Sequence, residues 1–93
     1  MHAVLMPVTI EPAKLEQAQK TLQLEIIPMV TAAPGFISGC WLEPLNGQGI
    51  SLVVFDTEEQ ARLTAPPSGA SPSPGVTIAN VEFRPVATTA AAK

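Results

Sequence analysis

Few residues of this chain belong to the types that carry out acid–base or nucleophilic chemistry. It has one histidine, His2, and one cysteine, Cys40. An imidazole can act as a general base near neutral pH, but a catalytic base works with a second group, and none stands at a recognisable spacing from His2. His2 is therefore either a catalytic base or a frayed residue at the chain start with no catalytic role. A nucleophilic thiol needs a neighbouring base or positive charge. Since Cys40 has neither close by in the sequence, we predict a buried, inert thiol.

A polar run near the end of the chain supplies a second catalytic candidate. Asn80, Glu82 and Arg84 are spaced by two residues, so in a strand they lie on one face. That face is either a polar patch at the mouth of a barrel, with Asn80 as the catalytic candidate, or the solvated side of the sheet, which we favour. The sequence contains no glycine-rich phosphate loop, metal-binding cluster or Ser-His-Asp set. We expect no metal and no cofactor.

Three aromatic residues are candidates for substrate binding. Trp41, the only tryptophan, lies in a predicted central strand, where it either lines a pocket for a flat aromatic molecule or anchors the core or a subunit interface. The second use is the more common one for tryptophan. Phe36 and Phe55, in neighbouring predicted strands, are the other two candidates.

A predicted β-hairpin in the middle of the chain positions these aromatic residues. Its arms are residues 36–42 and 50–55, and Asn46-Gly47 lies between them. Asn-Gly is the strongest short-range hairpin signal because both residues tolerate positive φ. Both arms carry apolar residues on both faces, which is typical of strands covered on two sides.

A strand and a long helix are predicted before the hairpin. Residues 3–10 form an apolar strand, in which Pro7 indicates a sheet edge or a strand end because it lacks an N–H. The helix opens at Pro12 and carries an apolar stripe at spacings of three and four residues. Pro28 removes one helical hydrogen bond, so we predict a kink or break over residues 24–27.

A short helix, a loop and a strand are predicted after the hairpin. The helix runs from Glu58 to about Ala65, with Asp56 as its N-cap and Glu59 completing a capping box. Prolines end it, and residues 66–75 are predicted to form an exposed, partly extended loop. A strand over residues 76–84 completes the order β-α-β-β-α-β.

This order predicts an α+β fold of the ferredoxin-like type, in which two helices cover one face of a four-stranded antiparallel sheet. At 93 residues the chain is one domain. We assign residues 1–86 to the domain and residues 87–93 to an Ala/Thr-rich tail. Because three strands are apolar on both faces while the helices cover one face, the other face needs a partner. We predict a homodimer through that sheet face.

Composition excludes several partners. The net charge is −3, and no Lys or Arg occurs between Lys20 and Arg62, so the chain lacks the basic surface that nucleic acids and anionic membranes require. No apolar run reaches the roughly 20 residues of a membrane span, and the chain start lacks signal-peptide features. A single cysteine cannot form an internal disulfide. We expect a cytoplasmic protein.

The chain resembles the antibiotic-biosynthesis-monooxygenase-like (ABM) family of the dimeric α/β-barrel superfamily. The resemblance covers residues 1 to about 86 and is carried by Ile27-Pro28-Met29-Val30, Ala33-Pro34-Gly35-Phe36, Ser38-Gly39-Cys40-Trp41 and Val53-Val54-Phe55-Asp56-Thr57-Glu58-Glu59-Gln60-Ala61. It implies a dimeric barrel. Members range from cofactor-free quinone-forming oxygenases to haem-degrading enzymes, isomerases and proteins of unassigned activity.

Two departures bear on the haem-degrading members. They use a histidine on a helix as the haem ligand and an asparagine on the first strand, whereas the only histidine here is His2 and residues 3–10 contain no asparagine. The resemblance therefore does not extend to haem ligation. The second helix is also cut short by Pro66, so a loop should replace one wall of any pocket.

Two functions remain open from the sequence. The first is a cofactor-independent monooxygenase, or an isomerase, that acts on a small apolar or aromatic substrate. The second is a non-catalytic dimer that either holds a small hydrophobic ligand or serves as an assembly module with a filled interior. An open cavity would favour the ligand-based functions over the assembly module, and polar groups inside it, His2 or Asn80 among them, would favour the enzyme.

Overall fold

The computed structural model describes residues 1–90, and their elements follow the predicted order. The strands are β1 (His2–Ile10), β2 (Phe36–Trp41), β3 (Gln48–Phe55), β4 (Val76–Ile78) and β5 (Glu82–Pro85). The first helix covers residues 12–31, and the second helix is Glu58–Thr64. The fold is α+β and ferredoxin-like, as predicted.

The sheet is antiparallel throughout, with the order β2-β3-β1-β4 and with β5 also paired to β1. The prediction of one last strand was wrong, since it is divided into β4 and β5. Pro7 explains the gap: its carbonyl accepts a bond from the Ala79 N–H at 2.9 Å, so its missing N–H would face the same side of the strand. The prediction that Pro7 marks an edge or end was also wrong, because β1 is central.

The turn of the central hairpin is the one that the sequence predicted. Asn46 and Gly47 both have positive φ, at 53° and 76°. Leu45 and Gln48 exchange two backbone hydrogen bonds around them, of 2.8 and 3.0 Å. These features identify a tight type I′ turn, which matches the twist of the two strands.

The first helix widens where Pro28 was predicted to break it. An α-helical segment, Leu15–Thr21, is followed by one π-helical turn, Leu22–Ile26, and then by a second α-helical segment, Ile27–Thr31. The Ile27 N–H donates to the Leu22 carbonyl, five residues back. The π-helical turn therefore absorbs the missing donor of Pro28 without ending the helix.

The N-cap of the second helix differs from the prediction. Thr57, not Asp56, is the N-cap residue, and its hydroxyl accepts a bond from the Gln60 N–H at 3.2 Å. The Gln60 side-chain oxygen in turn accepts from the Thr57 N–H at 3.2 Å, so Gln60 and not Glu59 completes the capping box. Gly35 has φ 81° and lies against Gln60, where a Cβ would overlap the amide. The capping box thus joins the second helix to the start of β2.

The two faces of the sheet have different environments. On the face covered by helices, a buried cluster is formed by Val4, Val30, Val53, Phe55 and Ala61. On the other face, Ile50 and Leu52 of β3 are 46% and 41% exposed. The helices therefore leave an apolar surface on the uncovered face, as the sequence predicted.

Most residues of the proline-rich loop are exposed, as predicted, but hydrogen bonds that the sequence did not predict hold the loop against the domain. The Ser71 hydroxyl can donate to the carbonyls of Ser73 (2.9 Å) and Val76 (2.7 Å). Ser73 is 5% exposed, and its hydroxyl bonds to that of Thr21 on the first helix at 3.2 Å. The Gly69 N–H donates to Ile78 of β4. Hydrogen bonds from serine hydroxyls and from the strand backbone thus hold the loop in place. The amino-acid composition of the loop does not predict these bonds.

Within residues 1–90, neither helix is both long enough and apolar enough to cross a membrane.

Candidate functional site

An apolar cavity lies between the first helix and the sheet and has a volume of about 250 Å³. Side chains of the helix form one wall, strands form the opposite wall, and the proline-rich loop forms a third. The lining residues are Val8, Ile10, Leu15, Ala18, Gln19, Leu22, Ile26, Met29, Val30, Trp41, Leu42, Pro44, Gly49, Ile50, Ser51, Thr64, Pro66, Pro72, Ser73, Val76 and Ile78.

The π-helical turn and the proline-rich loop shape two of these walls. Leu22 and Ile26 line the cavity from the first and last positions of the π-helical turn. Pro66, Pro72 and Ser73 line it beyond the end of the second helix. A loop therefore replaces one wall of the pocket, as predicted from the prolines that end this helix.

Trp41 lies between the core and the cavity, on β2, which is an edge strand and not the central strand that the sequence predicted. It packs against the buried cluster and lines the cavity at the same time. Its indole covers Gly39, where a Cβ would come within 2.5 Å of the ring. Gly39 therefore allows the indole ring to approach the backbone closely. The two alternative roles of Trp41, core anchor and pocket wall, are compatible in this position.

Most of the side chains that line the cavity are apolar, and few are polar. Within the described chain, its lining includes no Asp, Glu, Lys, Arg, His, Cys or Tyr. Its polar side chains are Gln19, Ser51, Thr64 and Ser73, which are all neutral. Because an uncompensated charge is expensive to bury, this lining suits a neutral apolar molecule, and it contains no general base.

The other residues predicted to form a site lie elsewhere. Phe55 is 1% exposed in the core, and its ring makes an edge-to-face contact with Phe36 at a centroid distance of 6.3 Å. Neither phenylalanine lines the cavity. Asn80 is exposed in the gap between β4 and β5. Of the five predicted site residues, the structure places Trp41 alone at the cavity.

His2 contacts a charged group on the second helix, far along β1 from the cavity. Its Nε2 is 3.4 Å from a carboxylate oxygen of Glu58. The other Glu58 oxygen accepts a 2.8 Å bond from Arg62. This hydrogen bond and the positive charge of Arg62 lower the pKa of Glu58. The guanidinium of Arg62 also lies 4.3 Å from the ring centroid of Phe83, so these contacts join β5 to the helix.

Cys40 is exposed, which corrects the prediction of a buried thiol. It pairs with Leu52 of β3, and residues that pair across antiparallel strands share a face. Cys40 therefore lies on the uncovered face of the sheet, where the helices do not reach.

The cavity does not fit haem held by a histidine. His2 is outside the lining, and the lining within the described chain contains no histidine, cysteine or tyrosine. Met29 has the only other side chain there of a type used as an axial ligand, and a thioether is a weak donor. The described residues also hold no group of three or more His, Cys, Asp or Glu that could bind a metal ion.

The sequence analysis did not identify Ser51 or Ser73 as residues of the cavity. Ser51 is 8% exposed in the middle of β3 and lines the cavity. A serine interrupts the apolar residues of its strand, and this interruption was the available signal. Ser73 has no comparable signal, because its partner, Thr21, is 52 residues away in the chain.

Comparisons with known proteins give a structural likeness. No family model matches the chain, and no curated protein sequence matches it. Among solved structures, the chain is similar to a substituted form of MhuD with two manganese protoporphyrin IX molecules bound per active site. The identity is 12%, the match covers 99% of this chain and 100% of the other, and the TM-score is 0.71. The chain therefore has the ferredoxin-like, ABM-type fold that its sequence resemblance implied.

Proposed function

We propose that this protein binds a small, neutral, apolar or aromatic molecule in the cavity between its first helix and its sheet. The observation that carries the proposal is an open cavity of about 250 Å³ whose lining is apolar and uncharged. A concave apolar pocket with a few polar groups is the usual form of a small-molecule site. The assembly module with a filled interior is disfavoured, because this interior has room for a ligand.

The cavity volume limits the size of the ligand. An engineered apolar cavity of about 150 Å³ stays dry and binds benzene, while drug-sized ligands occupy pockets of about 300–1,000 Å³. A volume of about 250 Å³ lies between these values. It suits a molecule of one or two rings, far smaller than a porphyrin. MhuD, which has a similar fold, binds manganese protoporphyrin IX, and this supports a flat ligand for the present cavity.

Binding is favoured over oxygenation because of the groups that the cavity lacks. A cofactor-independent monooxygenase starts by removing a proton from its substrate, which needs a base within hydrogen-bond reach. His2 and Asn80, the two catalytic candidates, lie outside the cavity lining. The monooxygenase therefore remains the alternative function.

The experiment compares two variants of the first helix. Ala18→Leu adds three carbons to a buried residue that lines the cavity, whereas Gln17→Leu places leucine on the exposed face beside it. Naphthalene binding, measured by equilibrium dialysis, should fall about tenfold or more in Ala18→Leu, because the added carbons occupy the ligand space, and stay unchanged in Gln17→Leu. Circular dichroism should show that both variants fold.

Two results would contradict the proposal. One is a wild-type protein that does not bind naphthalene or other one- and two-ring compounds. The other is sustained oxygen uptake with 2-naphthol as substrate that Ala18→Leu abolishes, because this would replace simple binding with the monooxygenase alternative.

We further propose that the protein acts as a homodimer in the cytoplasm, paired through the uncovered sheet face. The apolar surface there supports this pairing: Leu52 is 41% exposed beside Cys40. Ile50 and Leu42, which also reach the cavity, are 46% and 56% exposed. A small domain with a contiguous apolar patch of this kind usually covers it with a partner. A single unpaired thiol, Cys40, suits a reducing compartment.

A further inference from the structure

We propose that the hydroxyl of Ser51 forms a hydrogen bond with the ligand and that the ligand is therefore a one- or two-ring molecule with one neutral polar group, such as a phenol or an aryl ketone. This proposal rests on the binding function proposed above and names the chemical class of its ligand. It assigns a specificity-determining role to Ser51.

Ser51 lies opposite Trp41 in the sheet. Its partner across the ladder on β2 is Trp41, and its partner on β1 is Met6. Paired residues share a face of the sheet, and Ser51 and Trp41 both line the cavity. The side chains of Ser51 and Trp41 therefore leave the sheet on the same side, from paired positions, and border the same cavity. A flat ligand stacked on or against Trp41 would have its edge within reach of Ser51.

The hydroxyl of Ser51 is free to form a hydrogen bond with a ligand. The hydroxyls of Ser71 and Ser73 bond to other groups of the protein, while that of Ser51 makes no side-chain hydrogen bond within residues 1–90. In that part of the chain, every side-chain oxygen that is completely inaccessible has a hydrogen-bond partner. The Ser51 hydroxyl has no such partner, so it cannot be completely inaccessible. The Ser51 hydroxyl is thus open to the cavity although the residue is only 8% exposed. A buried hydroxyl gains from a partner there, because apolar surroundings offer no other.

The cavity lining contains no charged side chain within the described residues. Gln19, Thr64 and Ser73 also reach the cavity, but neither they nor Ser51 can compensate a formal charge. An ionised ligand would lose its hydration without gaining a counter-ion, whereas a hydroxyl or carbonyl needs one hydrogen bond. The ligand group that meets Ser51 is therefore neutral.

The test uses three compounds that share one ring system: naphthalene, 2-naphthol and 2-naphthoate. Their binding to the wild type and to Ser51→Ala is measured by equilibrium dialysis at pH 7. Ser51→Ala should weaken 2-naphthol about 3- to 10-fold, the usual value of one neutral hydrogen bond. Naphthalene should bind both proteins within about twofold, which shows that the cavity is intact. Ser38→Ala, on the uncovered face, is the matched control and should change nothing.

The outcomes separate this proposal from the function on which it rests. Equal 2-naphthol affinity of wild type and Ser51→Ala would overturn the role of Ser51 while the binding function stands. Wild-type affinity for 2-naphthoate as high as for 2-naphthol would overturn the requirement for a neutral group. A wild type that binds neither naphthalene nor 2-naphthol would overturn the binding function itself.

Discussion

At the scale of single residues, Trp41 and Gly39 form one unit. The indole lies over Gly39 and leaves no room for a Cβ there, so the glycine determines where the ring sits. The same ring packs against the buried cluster and borders the cavity. A change at either residue should therefore alter both stability and ligand binding.

Trp41→Ala should lower the free energy of unfolding by about 3 kcal/mol, because a large side chain leaves the edge of the core. Gly39→Ala should lower it by about 1–3 kcal/mol, since the new methyl group overlaps the indole. Urea unfolding followed by circular dichroism measures both effects, as Trp41 is the only tryptophan and its fluorescence is lost in one variant.

The double variant is the control for this contact. With the indole removed, no atom beyond the adjacent residues lies closer than 3.5 Å to the methyl group at Gly39, so Gly39→Ala should cost clearly less in the Trp41→Ala background. Additive effects of the two substitutions would mean that the ring does not lie over the glycine.

At the scale of elements, local chemistry predicted more than long-range contacts. Asn46-Gly47 predicted its turn because positive φ at both residues is a local requirement. Pro28 predicted the place of an irregularity, over residues 24–27, because a missing donor acts within its own helix. The irregularity is a π-helical turn and not the predicted kink or break. By contrast, the gap between β4 and β5 depends on Pro7, which lies about seventy residues earlier in the chain and on a different strand.

The site follows the same division. The replacement of one cavity wall by a loop was predictable, because Pro66 ends the second helix. The docking of the proline-rich loop was not, since it rests on the pairing of Ser73 with Thr21. Asp56 and Thr57 can both cap a helix, and the choice between them depends on Gln60 and on its contact with Gly35.

Ser73→Ala should destabilise the protein by about 1 kcal/mol, the usual loss when a buried hydrogen bond is removed. Its hydroxyl reaches Thr21 on the first helix at 3.2 Å, so it holds the loop against the wall of the cavity. Urea unfolding measures the change. Ser68→Ala, in the same loop but exposed, should be neutral. Equal effects of the two substitutions would mean that the loop is not held by this contact.

At the scale of the whole molecule, apolar surface is distributed unequally between the two faces of the sheet. The helices cover one face of the sheet, and the other face leaves Leu52 partly exposed next to Cys40. The sequence predicted this imbalance from the number of helices and from strands that are apolar on both sides. It could not predict that the thiol lies on the uncovered face, because a bulge between Phe36 and Ser38 sets the register of β2.

The homodimer that we propose makes Leu52→Glu a decisive substitution. In the pair, the new carboxylate would lie unpaired in an apolar interface, which should weaken association by about 3 kcal/mol or more, a factor of roughly 100 in the dissociation constant. Sedimentation velocity should then show single chains at micromolar concentration, whereas the wild type sediments as a dimer. Leu63→Glu is the matched control, since Leu63 is 80% exposed on the second helix. The thiol of Cys40 provides an independent readout: a thiol reagent should modify it slowly in the wild type and rapidly in Leu52→Glu, because only the dimer covers it. A wild type that sediments as a single chain, or whose thiol reacts as fast as in the variant, would exclude pairing through this face.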